Sequence, residues 1–94
     1  MLFALYCKDK PGTTDLRLAN RPAHLEYARG VSCIRMAGPM LDDAGTQMVG
    51  SLFVIDVESL EAARDFNRDD PYTRAGLWQS VAIHPFRWLL PEPR

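Results

Sequence analysis

Residues 48–70 read MVGSLFVIDVESLEAARDFNRDD, and this stretch decides the fold class. Its first part, 48–58, is rich in β-branched and aromatic residues and predicts a buried strand. Ser59 is a typical helix-capping residue, and apolar residues follow it at helical spacing, which predicts a helix that Asp70-Pro71 ends. A strand that leads directly into an amphipathic helix indicates a mixed α+β domain.

Three further strands are predicted on either side of this stretch. The run MLFALYC ends at a turn that contains Pro11-Gly12, and VSCIRMAG stops at Gly38-Pro39. Residues 40–47 hold two aspartates and a glycine in a hairpin arrangement. The predicted strands therefore span 1–7, 31–38, 48–58 and 78–90.

A first helix is predicted over residues 15–30, with Gly30 at its end. Pro22 lies inside this segment, and proline is tolerated in the first turn of a helix but not in its interior. The segment therefore either kinks at Arg21-Pro22 or forms a short turn followed by a second helix that begins at Pro22.

The order strand, helix, strand, strand, helix, strand is that of the ferredoxin-like βαββαβ fold, an α+β fold with an antiparallel four-stranded sheet and both helices on one face. In the last strand, Val81 and Ile83 alternate with Trp78 and Phe86, so both faces of the sheet are expected to be partly buried. A large exposed apolar face normally marks an interface. We therefore predict a homodimer that packs sheet to sheet.

Length, net charge and cysteine content limit the classes of protein to which the chain can belong. The 94 residues form one domain, 1–94, with a loose tail at 91–94. A net charge of −1 with interspersed acids and bases argues against a nucleic-acid partner. MLFALYCKDK is too short for a signal peptide or a membrane span, so we expect no membrane association and a cytoplasmic location. Cys7 and Cys33 lie in apolar runs without metal-ligand spacing. We expect reduced core thiols rather than one disulfide, no metal and no cofactor.

A histidine lies on the first predicted helix beside two cations. Arg17, Arg21 and His24 share one side at helical spacing, while Leu18 and Leu25 are predicted to face the core. His24 is therefore expected at the border between core and solvent. The two arginines oppose protonation of the imidazole and suit the binding of a carboxylate. A lone histidine at such a place is otherwise a packing residue.

The sequence allows two interpretations of Asp70, as a helix cap and as the partner of a histidine. Asp70 before Pro71 is a typical N-cap for a one-turn helix. A carboxylate is also the usual partner that fixes the tautomer of a proton-transferring histidine. The two helices of this fold are neighbours, so Asp70 can reach His24 if Gly38 and Pro39 line the same cleft.

Three further residues are of the types that occur in sites: Gly50, Ser51 and His84. Gly50 at the head of a strand suggests a bulge or a close approach of a ligand or another backbone, and Ser51 beside it offers a hydroxyl. His84, which precedes Pro85 in the last strand, is expected to pack within that strand rather than to serve a site.

Taken together, these stretches resemble the YCII-related (YciI-like) family from Met1 to about Leu90. The residues that carry the resemblance are Arg21-Pro22-Ala23-His24-Leu25, Ala37-Gly38-Pro39, Gly50-Ser51, Glu58-Ser59-Leu60-Glu61-Ala62-Ala63, Asp70-Pro71-Tyr72 with Ala75-Gly76, and Pro85-Phe86. The resemblance implies a dimeric α/β barrel and a His–Asp pair, here His24 and Asp70, as the active site. It also implies proton-transfer chemistry, elimination or isomerisation, on small aromatic or lactone-like molecules.

These residues suggest a mechanism on an anionic small organic substrate. His24 takes a proton and Asp70 holds the ring and stabilises the imidazolium. The supporting roles are substrate binding by Arg17 or Arg21, oxyanion stabilisation by Ser51 and the backbone near Gly38 and Pro39, and a pocket wall from Tyr72. The alternatives are a nucleophilic His24, a non-catalytic ligand-binding dimeric module or accessory protein, and a structural remnant in which His24 and Asp70 only pack and cap.

Overall fold

The computed structural model describes residues 1–92 of the chain, and its element order confirms the predicted ferredoxin-like βαββαβ fold. A one-turn helix, α3, lies between the second long helix and the last strand. In chain order the elements are β1 (Leu2–Asp9), α1 (Thr14–Gly30), β2 (Ile34–Leu41), β3 (Met48–Asp56), α2 (Leu60–Asp69), α3 (Pro71–Arg74) and β4 (Trp78–Phe86).

The four strands form one antiparallel sheet in the order β2-β3-β1-β4. In β1, alternate side chains point to opposite faces, so Phe3 and Leu5 lie on the face that the helices cover. Their partners Ile55 and Phe53 on β3 lie on the same face, and Phe66 of α2 closes the core. The core is therefore a single layer between the two central strands and the helices.

Gly50 allows the two central strands to approach closely. It pairs with Lys8, and a Cβ atom added to Gly50 would lie 2.6 Å from the backbone carbonyl oxygen of Cys7. No side chain fits at that distance, which confirms the predicted close approach of another backbone. This approach places Ser51, the next residue, directly beside the end of β1.

The ends of all four predicted strands differ from the structure: β1 extends to Asp9, β3 ends at Asp56, and the two edge strands differ by three residues or more. The second strand spans Ile34–Leu41, so Gly38-Pro39 lies inside it rather than at its end. Because β2 is an edge strand, Pro39 needs to donate no ladder hydrogen bond on its outer side. The last strand, β4, ends at Phe86, four residues before the predicted boundary.

The first helix is continuous from Thr14 to Gly30, so the predicted alternative of a short turn followed by a second helix at Pro22 was wrong. Pro22 is exposed, and so is Leu18, whose carbonyl loses the hydrogen bond that proline cannot donate. Water can therefore satisfy that carbonyl. The predicted core stripe was also wrong in part, because Leu18 is 52% exposed whereas Arg17 is 3% exposed.

Both cysteines are free thiols, as predicted. Cys7 lies in the core, where burial raises the pKa of its thiol to about 12 and keeps it protonated at neutral pH. His84 was expected to pack within its strand, but it is exposed on β4 because its partner Ala4 lies on the face without helices.

Two further observations concern the C-terminal tail and the lengths of the helices. Pro91 and Glu92 of the predicted loose tail lie outside any helix or strand, and 93–94 fall outside the described residues. Among residues 1–92, no helix is long and apolar enough to cross a membrane.

Candidate active site

His24 and Asp70 meet at the junction of α1 with the α2–α3 corner. Nδ1 of His24 lies 2.9 Å from Oδ1 of Asp70, and the two side chains are 11% and 1% exposed. Because an ionised carboxylate only accepts hydrogen bonds, Nδ1 is the donor. Nε2 of His24 makes no hydrogen bond to any residue between 1 and 92, so it is left as the acceptor of the neutral ring.

Asp70 also caps the one-turn helix α3, as predicted. Its Oδ1 accepts a hydrogen bond from the Tyr72 backbone nitrogen at 2.9 Å, and Pro71 occupies the first helical position. One carboxylate therefore both caps α3 and contacts His24, so the two interpretations of Asp70 do not exclude each other. Its Oδ2 is buried without a partner among the described residues, so stabilisation of the carboxylate rests on His24 and the helix terminus.

Tyr72 forms a flat platform for the imidazole. The rings of His24 and Tyr72 are stacked with centroids 4.1 Å apart and an interplanar angle of 14°, and Phe53 meets His24 edge-on at 6.0 Å. Burial raises the pKa of the Tyr72 hydroxyl, and the cations of Arg17 and Arg21 partly oppose that shift. The tyrosine is therefore held as a neutral phenol beside the histidine.

Arg17 is a buried hub rather than an exposed cation. Its Nε and Nη2 donate to the two carboxylate oxygens of Asp9 at 2.8 and 3.3 Å, and Nη2 also donates to the Gly50 carbonyl and the Ser51 hydroxyl. Nη1 lies 3.5 Å from the Tyr72 hydroxyl, and the guanidinium sits over the Tyr72 ring at 4.7 Å. Arg17 thus joins the end of β1 to β3 and α3.

A cleft of about 160 Å³ opens beside this cluster, next to the imidazole. Arg21 lies at the cleft, is exposed, and makes no ion pair or hydrogen bond with residues 1–92. The residues that line the cleft are Arg17, Arg21, His24, Leu25, Ala37, Gly38, Pro39, Met48, Ser51 and Tyr72. Every residue that the sequence nominated for substrate binding therefore lies at this cleft.

Asp9 is the participant that the sequence analysis missed. It was counted in the turn after the first strand, whereas β1 continues to Asp9 with a register shift between Lys8 and Asp9. This irregularity brings the carboxylate, 6% exposed, against Arg17. An acidic residue at a strand end is common, and nothing in its spacing marks it as the partner of an arginine eight residues later.

The described residues show no metal site. Across 1–92, no three His, Cys, Asp or Glu side chains are grouped so that they could hold a metal ion.

Relatives of the chain share both its sequence and its fold. The family model of the YCII-related domain matches residues 1–87. Protein YciI of Escherichia coli O6:H1 is 35% identical over 95 residues, which cover 93% of this chain and 97% of YciI. A protein of Haemophilus influenzae that carries no functional name is 32% identical over the same shares of the two chains.

A solved structure is similar over almost its whole length. It is 5-chloro-2-hydroxyhydroquinone dehydrochlorinase (TftG) from Burkholderia phenoliruptrix AC1100 in complex with 2,5-dihydroxybenzoquinone. The TM-score is 0.88 at 33% sequence identity, with 93% of this chain and 94% of that chain covered. With the family model and the curated relatives in agreement, the chain belongs to the YCII-related domain family.

Proposed function

We propose that this chain is a small-molecule enzyme that uses His24 and Asp70 to transfer a proton in an elimination or isomerisation. The observation that carries the proposal is the 2.9 Å contact between His24 Nδ1 and Asp70 Oδ1 beside the cleft, which leaves Nε2 as the available base. Asp70 fixes the tautomer and stabilises the positive charge that the ring gains when it takes a proton. The stacked Tyr72 ring favours that cation as well.

The size and charge of the cleft support a small, anionic substrate. About 160 Å³ is small compared with the roughly 300–1,000 Å³ of sites for drug-sized ligands, which favours a single-ring molecule. Arg21 supplies a cation at the cleft without a counterion among residues 1–92, which favours an anion. A hydroxylated ring with an ionised oxygen meets both conditions, and the ligand and the substrate named for the similar dehydrochlorinase are hydroxylated rings.

The direct test of the proposed function is an assay of chloride release from 5-chloro-2-hydroxyhydroquinone, together with calorimetric titration of 2,5-dihydroxybenzoquinone. We expect turnover and saturable binding of one ligand per chain. Binding without turnover of this or any related halogenated hydroxyhydroquinone would favour the non-catalytic binding module instead.

Arg21 is expected to hold the anionic oxygen of the ligand. Arg21→Gln should weaken binding of 2,5-dihydroxybenzoquinone about tenfold, because a hydrogen bond to a charged group contributes about 1.5 kcal/mol. Arg29→Gln is the matched control, since Arg29 lies on the same helix but away from the cleft. Equal affinities of the two variants, measured by calorimetry, would show that Arg21 does not bind the ligand.

We also propose that the sheet face opposite the helices joins two copies of the chain. Tyr6, Met36 and Phe86 lie on that face and are 48%, 50% and 44% exposed. Leu52, which pairs with Tyr6, is half-buried on the same face. Large apolar side chains exposed on one sheet face of a chain of 94 residues favour a sheet-to-sheet homodimer.

Light scattering at micromolar concentration tests the dimer. We expect twice the 10.6 kDa mass of one chain for the parent protein and for Leu18→Glu, and one chain mass for Met36→Glu. Leu18 and Met36 are almost equally exposed, at 52% and 50%, but Leu18 lies on α1, away from the sheet. A monomeric parent protein, or a dimeric Met36→Glu variant, would contradict this interface.

A further inference from the structure

Two hydroxyl groups at the cleft share one arginine as their donor. Nη2 of Arg17 donates to Ser51 Oγ at 2.7 Å, and Nη1 lies within reach of Tyr72 Oη at 3.5 Å. A guanidinium carries only donors, so both hydroxyl oxygens act as acceptors here. The hydrogen atom of each hydroxyl must therefore point away from Arg17.

Neither hydroxyl has a protein acceptor for that hydrogen within residues 1–92. Ser51 and Tyr72 are 3% and 1% exposed, and both line the cleft beside His24. A buried hydroxyl without an acceptor is unfavourable. An oxygen atom of a molecule bound in the cleft can accept a hydrogen bond from both hydroxyls.

The geometry points to Ser51 and Tyr72 as paired oxyanion donors, an inference that rests on the proposed function. Their hydroxyl hydrogens bind the substrate oxygen that gains negative charge when His24 removes a proton. Arg17 is a positioning residue in this arrangement. Its donors fix the lone pairs of both hydroxyls and so aim both hydrogens into the cleft. Preorganised donors of this type stabilise a developing oxyanion without reorganisation during the reaction.

This arrangement adds to the roles expected from the sequence. The sequence predicted a hydroxyl from Ser51 with backbone support near Gly38, and it predicted only a wall from Tyr72. In the structure, the Tyr72 ring stacks on His24 while its hydroxyl reaches Arg17. One side chain therefore serves the base with its ring and the substrate oxygen with its hydroxyl.

The test is calorimetric titration of 2,5-dihydroxybenzoquinone into the folded parent protein, Tyr72→Phe and Ser51→Ala. Each variant removes one hydroxyl and keeps the packing, since phenylalanine retains the stacked ring. We expect each variant to weaken binding about tenfold, the scale of one hydrogen bond to a charged oxygen. Should one variant fail to fold, the other carries the test alone, because each donor is expected to contribute.

Tyr27→Phe is the matched control. The Tyr27 hydroxyl donates to the Phe66 carbonyl at 2.8 Å and lies away from the cleft, so its removal should leave affinity for the probe unchanged. Affinities of Tyr72→Phe and Ser51→Ala within twofold of the parent value would overturn the inference. That result differs from failure of the proposed function, which would show as unchanged chloride release in variants of His24 or Asp70, whatever their affinity for the probe.

Discussion

Asp70→Asn and His24→Ala are each expected to lower kcat for chloride release by about 100- to 10,000-fold, the range of a positioned general base. In Asp70→Asn the side chain no longer carries the charge that stabilises the imidazolium. In His24→Ala the base itself is absent.

Asp70→Asn separates chemistry from capping. Asparagine caps helices about as well as aspartate, so the bond from the Tyr72 backbone nitrogen survives and the free energy of unfolding should fall by about 1 kcal/mol or less. Asp69→Asn is the control, because the same chemical change occurs one residue earlier on a side chain whose hydrogen-bond partners among residues 1–92 are Arg68 and Arg74. A folded Asp70→Asn variant with the parent kcat would show that Asp70 is only a cap.

Asp9→Asn is expected to reduce the free energy of unfolding by about 3–5 kcal/mol, the cost of removing one partner from a buried ion pair. Arg17 would remain buried at 3% exposure with a neutral amide in place of two carboxylate oxygens. That loss is a large share of the roughly 5–15 kcal/mol that stabilises a domain of this size. Urea unfolding at neutral pH measures it.

Asp56→Asn provides the comparison for that measurement. Asp56 also pairs with two cations, the chain's amino terminus and Arg35, but its side chain is 38% exposed. Exposed pairs contribute little, so this variant should unfold at nearly the parent urea concentration. Equal stabilities of the Asp9 and Asp56 variants would contradict the description of Arg17 as a buried hub.

The parts of the fold that the sequence predicted well are those with strong local signals. The apolar run of β3, the Ser59 cap and the Asp70-Pro71 corner each specify their own conformation. The Ser59 hydroxyl accepts from the Ala62 backbone nitrogen at 3.0 Å, as a capping residue does. Their order was sufficient for the βαββαβ arrangement.

The face of α1 was not predictable by the same reasoning. Periodicity assumes that apolar side chains turn inward, which placed Leu18 in the core and Arg17 at its border. The structure reverses them, because Asp9, the Gly50 carbonyl and Ser51 satisfy the buried guanidinium. Those partners lie on β1 and β3, and only the tertiary structure brings them to the helix.

The candidate site was predictable to the extent that its residues occur in short motifs. His24 and Asp70 were nominated as a pair from chemistry and family resemblance, and they lie in hydrogen-bond contact. The hydrogen bonds that Arg17 makes to Ser51 and Tyr72 were not foreseen. They depend on the approach of β1 to β3 at Gly50, for which the glycine predicted a close approach but not its partner, and on the stacking of Tyr72 against His24, which has no local sequence signal.

Nitrogen-15 NMR of the imidazole rings tests the central claim most directly, since the chain has two histidines and a His84→Gln variant assigns the signals of His24. At a pH where the ring is neutral, we predict His24 as the Nδ1–H tautomer, with an unprotonated Nε2 and an Nδ1 proton protected by Asp70. Asp70→Ala, which removes the acceptor of the Nδ1 proton, should abolish that protection. A His24 ring in the Nε2–H tautomer, or an Nδ1 proton that exchanges as freely in the parent protein as in Asp70→Ala, would contradict the proposed base.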